Sequence, residues 1–367
     1  MPFSFDALRR RPDLEGPDLV AVDAADRLIL DESAVARADL PDGALVVIGD
    51  THGALTLASA DAGARGIRVH QDELLGERAL AANASDVGLD EAFTSLPLDA
   101  DLLRGARVVL MRLPRSLRAL ADAAGLIALH AHPEVQVFAG GRIKHMTLAM
   151  NEVLREHFDC VDVSHARQKS RVLLARGPRG GATPVPDEAE VDGIRIRAFG
   201  GAFAGASIDI GTRLLLAHLP APRGDEAIDL ACGTGVVAAA LAVRTPSLHV
   251  VACDQSAVAV ASARATAAAN GVADRVRVDR DDVLGARPDA SSSFIALNPP
   301  FHAGAALADG LAPRMFADAA RVLRPGGELW TVWNSALQYR PALERLVGPT
   351  RQVARDRKFT VTVSTKR

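Results

Sequence analysis

The sequence predicts an α/β fold of two tandem Rossmann-like halves. Each is an open, doubly wound, mostly parallel sheet, and the first is a degenerate copy of the second. Three observations carry this. Short apolar runs alternate with helical runs through the second half, the βαβ pattern of a parallel sheet. The same order recurs more faintly in the first half. Between them lies Arg176–Pro186, rich in glycine and proline, which predicts neither helix nor central strand. The expected division is a first domain over 1–176, a linker over 177–188 and a second domain over 189–367. A chain of 367 residues is too long for one compact core and suits two domains of about 180 residues.

In the second half, Ala227–Ala231 reads as a short buried strand, followed by a glycine turn and a helical run over Val236–Val243. Leu248–Cys253 is the next strand. The alanine-rich run Ala257–Ala269 is a strong helix closed by Asn270-Gly271. Arg275–Val278 and Ser293–Leu297 are further strands. A helix over about 307–323 stops at Arg324-Pro-Gly-Gly327, and Glu328–Trp333 follows as a strand. Lys358–Val363 alternates with period two and suits a late strand at the rim of the sheet. In the first half, Ala44–Gly53 parallels Ala227–Gly235, Arg107–Pro114 parallels Ser293–Pro300, and Val135–Gly141 mirrors the region around Gly326-Gly327.

Hydrophobic residues make up 49% and charged residues 24%, enough to build sizeable cores and too ordered a composition for a disordered chain. The net charge of -3 excludes a globally basic nucleic-acid binder but not a local basic patch. Of 42 basic residues only Lys144, Lys169, Lys358 and Lys366 are lysine. Together with the abundant alanine, that reads as genome composition. Cys160, Cys232 and Cys253 fit neither a disulfide framework nor zinc spacing. The start Met-Pro-Phe-Ser-Phe-Asp lacks the basic and apolar segments of a signal peptide, and no apolar run reaches the length of about 18 residues that spans a membrane. A reduced, cytoplasmic protein is expected.

The chemistry concentrates after the strands. In Asp229-Leu-Ala-Cys-Gly-Thr-Gly235, glycines tolerate positive φ and let the backbone approach a ligand, while the next helix offers free N–H groups. Neither a G-x-G-x-x-G nor a G-K-[ST] pattern is present. Asp254 ends the next strand, where a carboxylate can hold a ribose diol. Asp282 follows the third strand and could accept from an adenine amino group. Asp281 is its rival, and a solvated loop acid is the plainer reading. Asn298-Pro-Pro-Phe301 directly follows the fourth strand. Two prolines remove donors and leave carbonyl acceptors. An amide oxygen beside a carbonyl can take both hydrogens of a flat –NH2 group, and Phe301 offers a face for a base.

These motifs resemble class I S-adenosylmethionine-dependent methyltransferases acting on exocyclic amines. Phe203–Arg213, Asn298–His302 and Arg324–Trp330 are similar to one subgroup, the bacterial ribosomal RNA guanine-N2 methyltransferases of the RsmC/RlmG type. Those have two tandem methyltransferase-like domains, the first without a cofactor site. The specific motifs cover roughly residues 200–335. The resemblance implies that Asp229, Gly233 and Gly235 line the methionine side of S-adenosylmethionine, with Asp254 on its ribose hydroxyls. It implies that Asn298 and Pro299, with Pro300 in the same motif, hold the target amino group, while Phe301 stacks on the base. Phe203 and Thr212 would close over the cofactor. His302 would touch RNA or remain a surface residue. Ala231 stands where glycine is usual, and alanine resists positive φ by about 1 kcal/mol.

In the first half Val47 stands at the place of Asp229 and Thr51 at that of Gly233, and Arg112-Leu-Pro-Arg115 replaces Asn-Pro-Pro-Phe. No cofactor site is expected there. The two arginines are either phosphate contacts or surface charges. Five cations without an acid between Ser164 and Pro186, and six against Asp356 from Arg351 onward, could give an RNA footprint or merely solvate strand edges. The expected partner is ribosomal RNA. Adenine N6, a glutamine amide or a small molecule are alternative acceptors, and an RNA-binding protein without activity is a further alternative.

Overall fold

The computed structural model describes residues 3–16, 19–300 and 305–367, with side chains described for all of these except 305–309. The chain forms two units, Met1–Val185 and Pro186–Arg367.

In the first unit the strands are β1 (Leu45–Ile48), β2 (Ile67–His70), β3 (Phe93–Ser95), β4 (Val108–Arg112), β5 (Gln136–Arg142), β6 (Phe158–Val163) and β7 (Ser170–Pro178). Their order in the sheet is β3-β2-β1-β4-β5-β7-β6. All pairs are parallel except those that β7 makes with β5 and β6.

The second unit opens with the hairpin β8 (Asp187–Val191) and β9 (Ile194–Ala198). Its turn is Asp192-Gly193, at φ 53° and 78°, the pair of left-handed residues that matches strand twist in a two-residue hairpin. The outer edge of β9 lies on the helix Ala257–Ala269, where Ser262 and Thr266 accept backbone N–H groups of Phe199 and Arg197, each at 3.0 Å. These two hydroxyls in an alanine-rich helix therefore satisfy strand-edge donors. Then come β10 (Glu226–Leu230), β11 (His249–Asp254), β12 (Val276–Arg280), β13 (Ser292–Leu297), β14 (Leu323–Asn334), β15 (Thr350–Arg355) and β16 (Phe359–Thr365). Their order, β12-β11-β10-β13-β14-β16-β15, repeats that of the first unit position for position. The two tandem Rossmann-like sheets are as the sequence predicts.

Alternate residues on each strand enter cores on opposite faces. Val250 and Ala252 pack on one side of β11, with Val251 and Cys253 on the other. On β13, Phe294 and Ala296 oppose Ile295 and Leu297. Helices cover both faces, so these strands read as continuous apolar runs.

Two expectations need correction. The strand near the C-terminus is not at the rim. β16 lies between β14 and β15, is antiparallel to both, and is buried from Phe359 to Ser364. Its period-two alternation of apolar residues and threonine does not mark a solvated face, because Thr360 and Thr362 are also buried. The rim is the more polar β15. The expected linker also starts too early. β7 continues to Pro178 between two partners, and the division falls at Val185/Pro186. Three of the five cations along this stretch are ion-paired, Arg167 with Asp31, Arg176 with Asp162 and Arg179 with Asp159. Solvated strand edges fit them better than a free phosphate strip.

Candidate active site

The strand order of the second unit reverses at β10, between β11 and β13, and ligands in open α/β sheets bind at the carboxyl ends of strands at such a point. Leu230 pairs with Cys253 on one side and with Leu297 on the other. The next residues, Ala231, Asp254 and Asn298, therefore emerge at one level on one edge. The motifs read from sequence converge there.

The glycine turn has the expected backbone. Ala231, Gly233 and Gly235 lie at φ 58°, 53° and 74°, so Ala231 adopts the left-handed conformation in spite of its Cβ, at a cost of about 1 kcal/mol. Gly235 is required by packing, because a Cβ there would lie 2.7 Å from Cβ of Ala263. Gly233 has nothing within 4 Å of the place its Cβ would take, so backbone is presented to open space. Its N–H donates to Asp254 Oδ2 at 3.0 Å, and Ser256 N–H donates to Oδ1 at 3.0 Å. Asp254 thus fixes the turn through both of its carboxylate oxygens.

Asp229 is buried, 3% exposed, and accepts the N–H of Ala238 at 2.9 Å. Burial, with the Asp254 charge adding to it, raises its pKa to about 7. An unfolded aspartate titrates near 3.9, so the folded state binds the extra proton between these values. Stability from this group is full below the unfolded pKa and falls as pH rises toward 7. The expected loss between pH 5 and pH 8 is about 3 kcal/mol, at about 1.4 kcal/mol per pKa unit. Urea unfolding of the full chain at both pH values should show that loss, and Asp229→Asn should reduce it by about this amount. An unchanged slope in the variant would refute the assignment. Cys232 and Cys253, also buried here, are pushed up well above the ordinary thiol range by burial, so neither offers a thiolate.

Asp281 accepts from the N–H groups of Asp282 and Ala286, both at 2.8 Å, and closes its loop. Asp282 is ion-paired with Arg314. Of the two, Asp281 is engaged by its own backbone, whereas Asp282 is engaged by a side chain.

Asn298 is held by a residue that sequence reasoning missed. Its Nδ2 donates to Asp209 Oδ2 at 2.8 Å and to Thr212 Oγ1 at 2.9 Å. Asp209 caps the helix Ile210–His218, accepting from Gly211 and Thr212 N–H and from the Thr212 hydroxyl. A carboxylate can only accept, so it fixes which end of the Asn298 amide faces it. The other end, Oδ1, is buried and has no hydrogen-bond partner among the described residues. Thr212 accordingly touches the asparagine itself. Asp-Ile-Gly-Thr before an apolar helical run is a capping signature, and that signal could have exposed Asp209. Pro299 is buried and Pro300 exposed. Phe301 and His302 lie outside the described residues. Phe203, 52% exposed, lines a cavity with Asp209, Asn334 and Lys358.

The first unit repeats the scaffold with other chemistry. Met111 pairs with Ile48 as Leu297 pairs with Leu230, so Arg112 occupies the place of Asn298. Arg112 bonds Asp23 at 2.7 Å and Asp26 at 2.8 Å. Asp23 caps the helix Ala24–Glu32, and Asp26 is its third residue, the places of Asp209 and Thr212. The expectation of an Arg112 phosphate contact is therefore corrected, since its guanidinium is spent inside the unit. Arg115 is exposed. Gln71 stands where Asp254 does, one residue after the Ile48 partner His70. Asp50 accepts from Thr56 N–H at 2.7 Å, three residues beyond Gly53, as Asp229 does three residues beyond Gly235.

Residues 193–363 match the Methyltransferase small domain family, and residues 2–179 match the RLMG N-terminal domain. The chain is 35% identical to the ribosomal RNA large subunit methyltransferase G of Streptomyces coelicolor, over 100% of this chain and 99% of that one. It is 33% identical to that of Pseudomonas paraeruginosa, over 98% and 97%. The chain belongs to the ribosomal RNA large subunit methyltransferase G family. Members of this family are methyltransferases, and the donor is S-adenosylmethionine. A T. thermophilus 16S rRNA N2 methyltransferase, solved with AdoMet and guanosine, is 22% identical with a TM-score of 0.76, over 94% of this chain and 92% of that one, and has the same fold. Among the described residues no helix is long and apolar enough to cross a membrane.

Proposed function

We propose that the protein transfers a methyl group from S-adenosylmethionine to the exocyclic N2 of a guanine in large-subunit ribosomal RNA. The observation that carries this is the buried, partnerless Oδ1 of Asn298, held in one orientation by Asp209 and Thr212. A buried acceptor without a donor is costly unless a ligand supplies one. An aromatic amine has two N–H donors. Asn298 Oδ1 takes one, and the carbonyl of Pro299 takes the other.

The glycine turn fits the cofactor, because Gly233 leaves open space where a side chain would stand. Gly233 and Gly235, with Ala231, hold its methionine part beside Asp229, Asp254 holds the ribose, and Asp282 meets the adenine. Bound S-adenosylmethionine supplies a methyl group on positively charged sulfur. The protein's own contribution is placement and electrostatics. An aryl amine is a weak nucleophile because its lone pair is delocalised. Accepting both N–H groups keeps that pair directed at the methyl and stabilises the positive charge that grows on nitrogen. The Asp209 carboxylate behind Nδ2 polarises the Asn298 amide and strengthens Oδ1 as an acceptor. No strong base is required, because the methylated nitrogen, cationic after transfer, is acidic enough to release its surplus proton to water. Phe301 stacks on a base drawn out of its helix.

The test is transfer of tritiated methyl to the separated ribosomal RNAs of a strain lacking this gene, followed by nucleoside analysis. N2-methylguanosine in large-subunit RNA is expected. Label as N6-methyladenosine or in protein would overturn the substrate, since those amines suit the same acceptor pair. N2-methylguanosine in small-subunit RNA would overturn the subunit.

A further inference from the structure

Beside the Asp209–Asn298 clasp lies a cavity of about 300 Å³, lined by Phe203, Asp209, Ile210, Asn334, Lys358 and Phe359 among others. Phe203 and Ile210 in its lining are 52% and 61% exposed. Lys358 Nζ stands 5.4 Å from the ring centre of Phe359. The turn between β15 and β16 projects Arg355, Arg357 and Lys358, all exposed. None of these three is ion-paired with a carboxylate among the described residues. The single acid of the turn, Asp356, accepts from the N–H groups of Lys358 at 2.7 Å and Phe359 at 2.6 Å and so shapes the turn.

We infer that this cavity and hairpin tip grip the RNA nucleotide next to the target, its base against Phe203 and its phosphate on Lys358 and the neighbouring arginines. The inference rests on the RNA substrate proposed above. Stacking surface beside unpaired cations is what a single strand requires of a protein, because every base has a π-face and every linkage a negative charge. The occupant is the neighbour and not the target. Asn298 turns Nδ2 toward Asp209, which lines the cavity, while the target amine must meet Oδ1 at the opposite end of the amide. A base drawn out for methylation leaves its neighbour unstacked, and a second grip holds the strand while the target is positioned.

The experiment measures steady-state methylation of deproteinised large-subunit rRNA by the full chain, with S-adenosylmethionine affinity measured separately. Phe203→Ala should raise the KM for RNA about 5- to 150-fold, the range of one lost base stack. Phe203→Tyr should remain near wild type. Lys358→Ala should raise KM and reduce the slope of log KM against log salt by about 0.7. Unchanged KM in both alanine variants would overturn the inference. So would weakened cofactor affinity in Phe203→Ala, which would place that ring on S-adenosylmethionine. Failure of the RNA reading is distinct, since the wild-type protein itself would then transfer no methyl to RNA.

Discussion

Replacing Asn298 by alanine lowers kcat by about 10²- to 10³-fold, the usual consequence of removing one preorganised group that meets charge in a transition state. S-adenosylmethionine binding survives, because the glycine turn and Asp254 make no contact with the asparagine side chain among the described hydrogen bonds. Single-turnover transfer to rRNA, with cofactor affinity by titration calorimetry, separates the two. Asn298→Asp provides the contrast. It keeps an oxygen but places a second carboxylate where Nδ2 now lies 2.8 Å from Asp209, and like charges at that separation repel. Both variants should be strongly impaired, for different reasons. Full activity in Asn298→Ala would refute the mechanism.

Arg112→Met destabilises the chain by about 3–5 kcal/mol, the cost of removing one partner from a buried ion pair. Burial alone would raise Asp23, yet the Arg112 hydrogen bond and charge hold it at about 2. Burial raises Asp26 to about 6 even with Arg112 opposing it. Without the guanidinium both carboxyls face each other in a partly buried site, and Asp26 takes up a proton at neutral pH. Urea unfolding of the full chain at pH 7 measures the loss. A change below about 1 kcal/mol would mean that water or another cation replaces the arginine. RNA affinity, measured under conditions where the variant is folded, should not change.

The central strands β10, β11 and β13 were legible because both faces of the sheet are covered there, so each is a dense apolar run bounded by a turn. The convergence of Asp229, Gly233, Asp254 and Asn298 was legible because each motif follows a strand at the same level. The β8–β9 hairpin went unread although Asp192-Gly193 is its signature, because Glu188, Glu190, Arg195 and Arg197 give its strands an unusually charged outer face. β16 was misplaced because buried threonines mimic a polar face, while their hydroxyls are satisfied inside, Thr360 with Ser335 and Thr362 with Trp333. Asp209 was missed for a different reason. A capping residue is recognised by its own helix, whereas its bond to Asn298 spans 89 positions and leaves no local trace.

The ion pair of the first unit also bears on evolutionary reversibility. Suppose the two units descend from one duplicated ancestor with the single-carboxylate clasp seen at Asp209, Thr212 and Asn298. Restoring asparagine at Arg112 in a single step would strand Asp23 and Asp26 against each other without a counter-ion. Changing Asp26 to threonine first leaves Arg112 paired with Asp23, and only then can asparagine follow at low cost. The order of substitutions is therefore constrained. The lost acceptor lies behind a ratchet that stability alone maintains, whatever selection acts on the RNA.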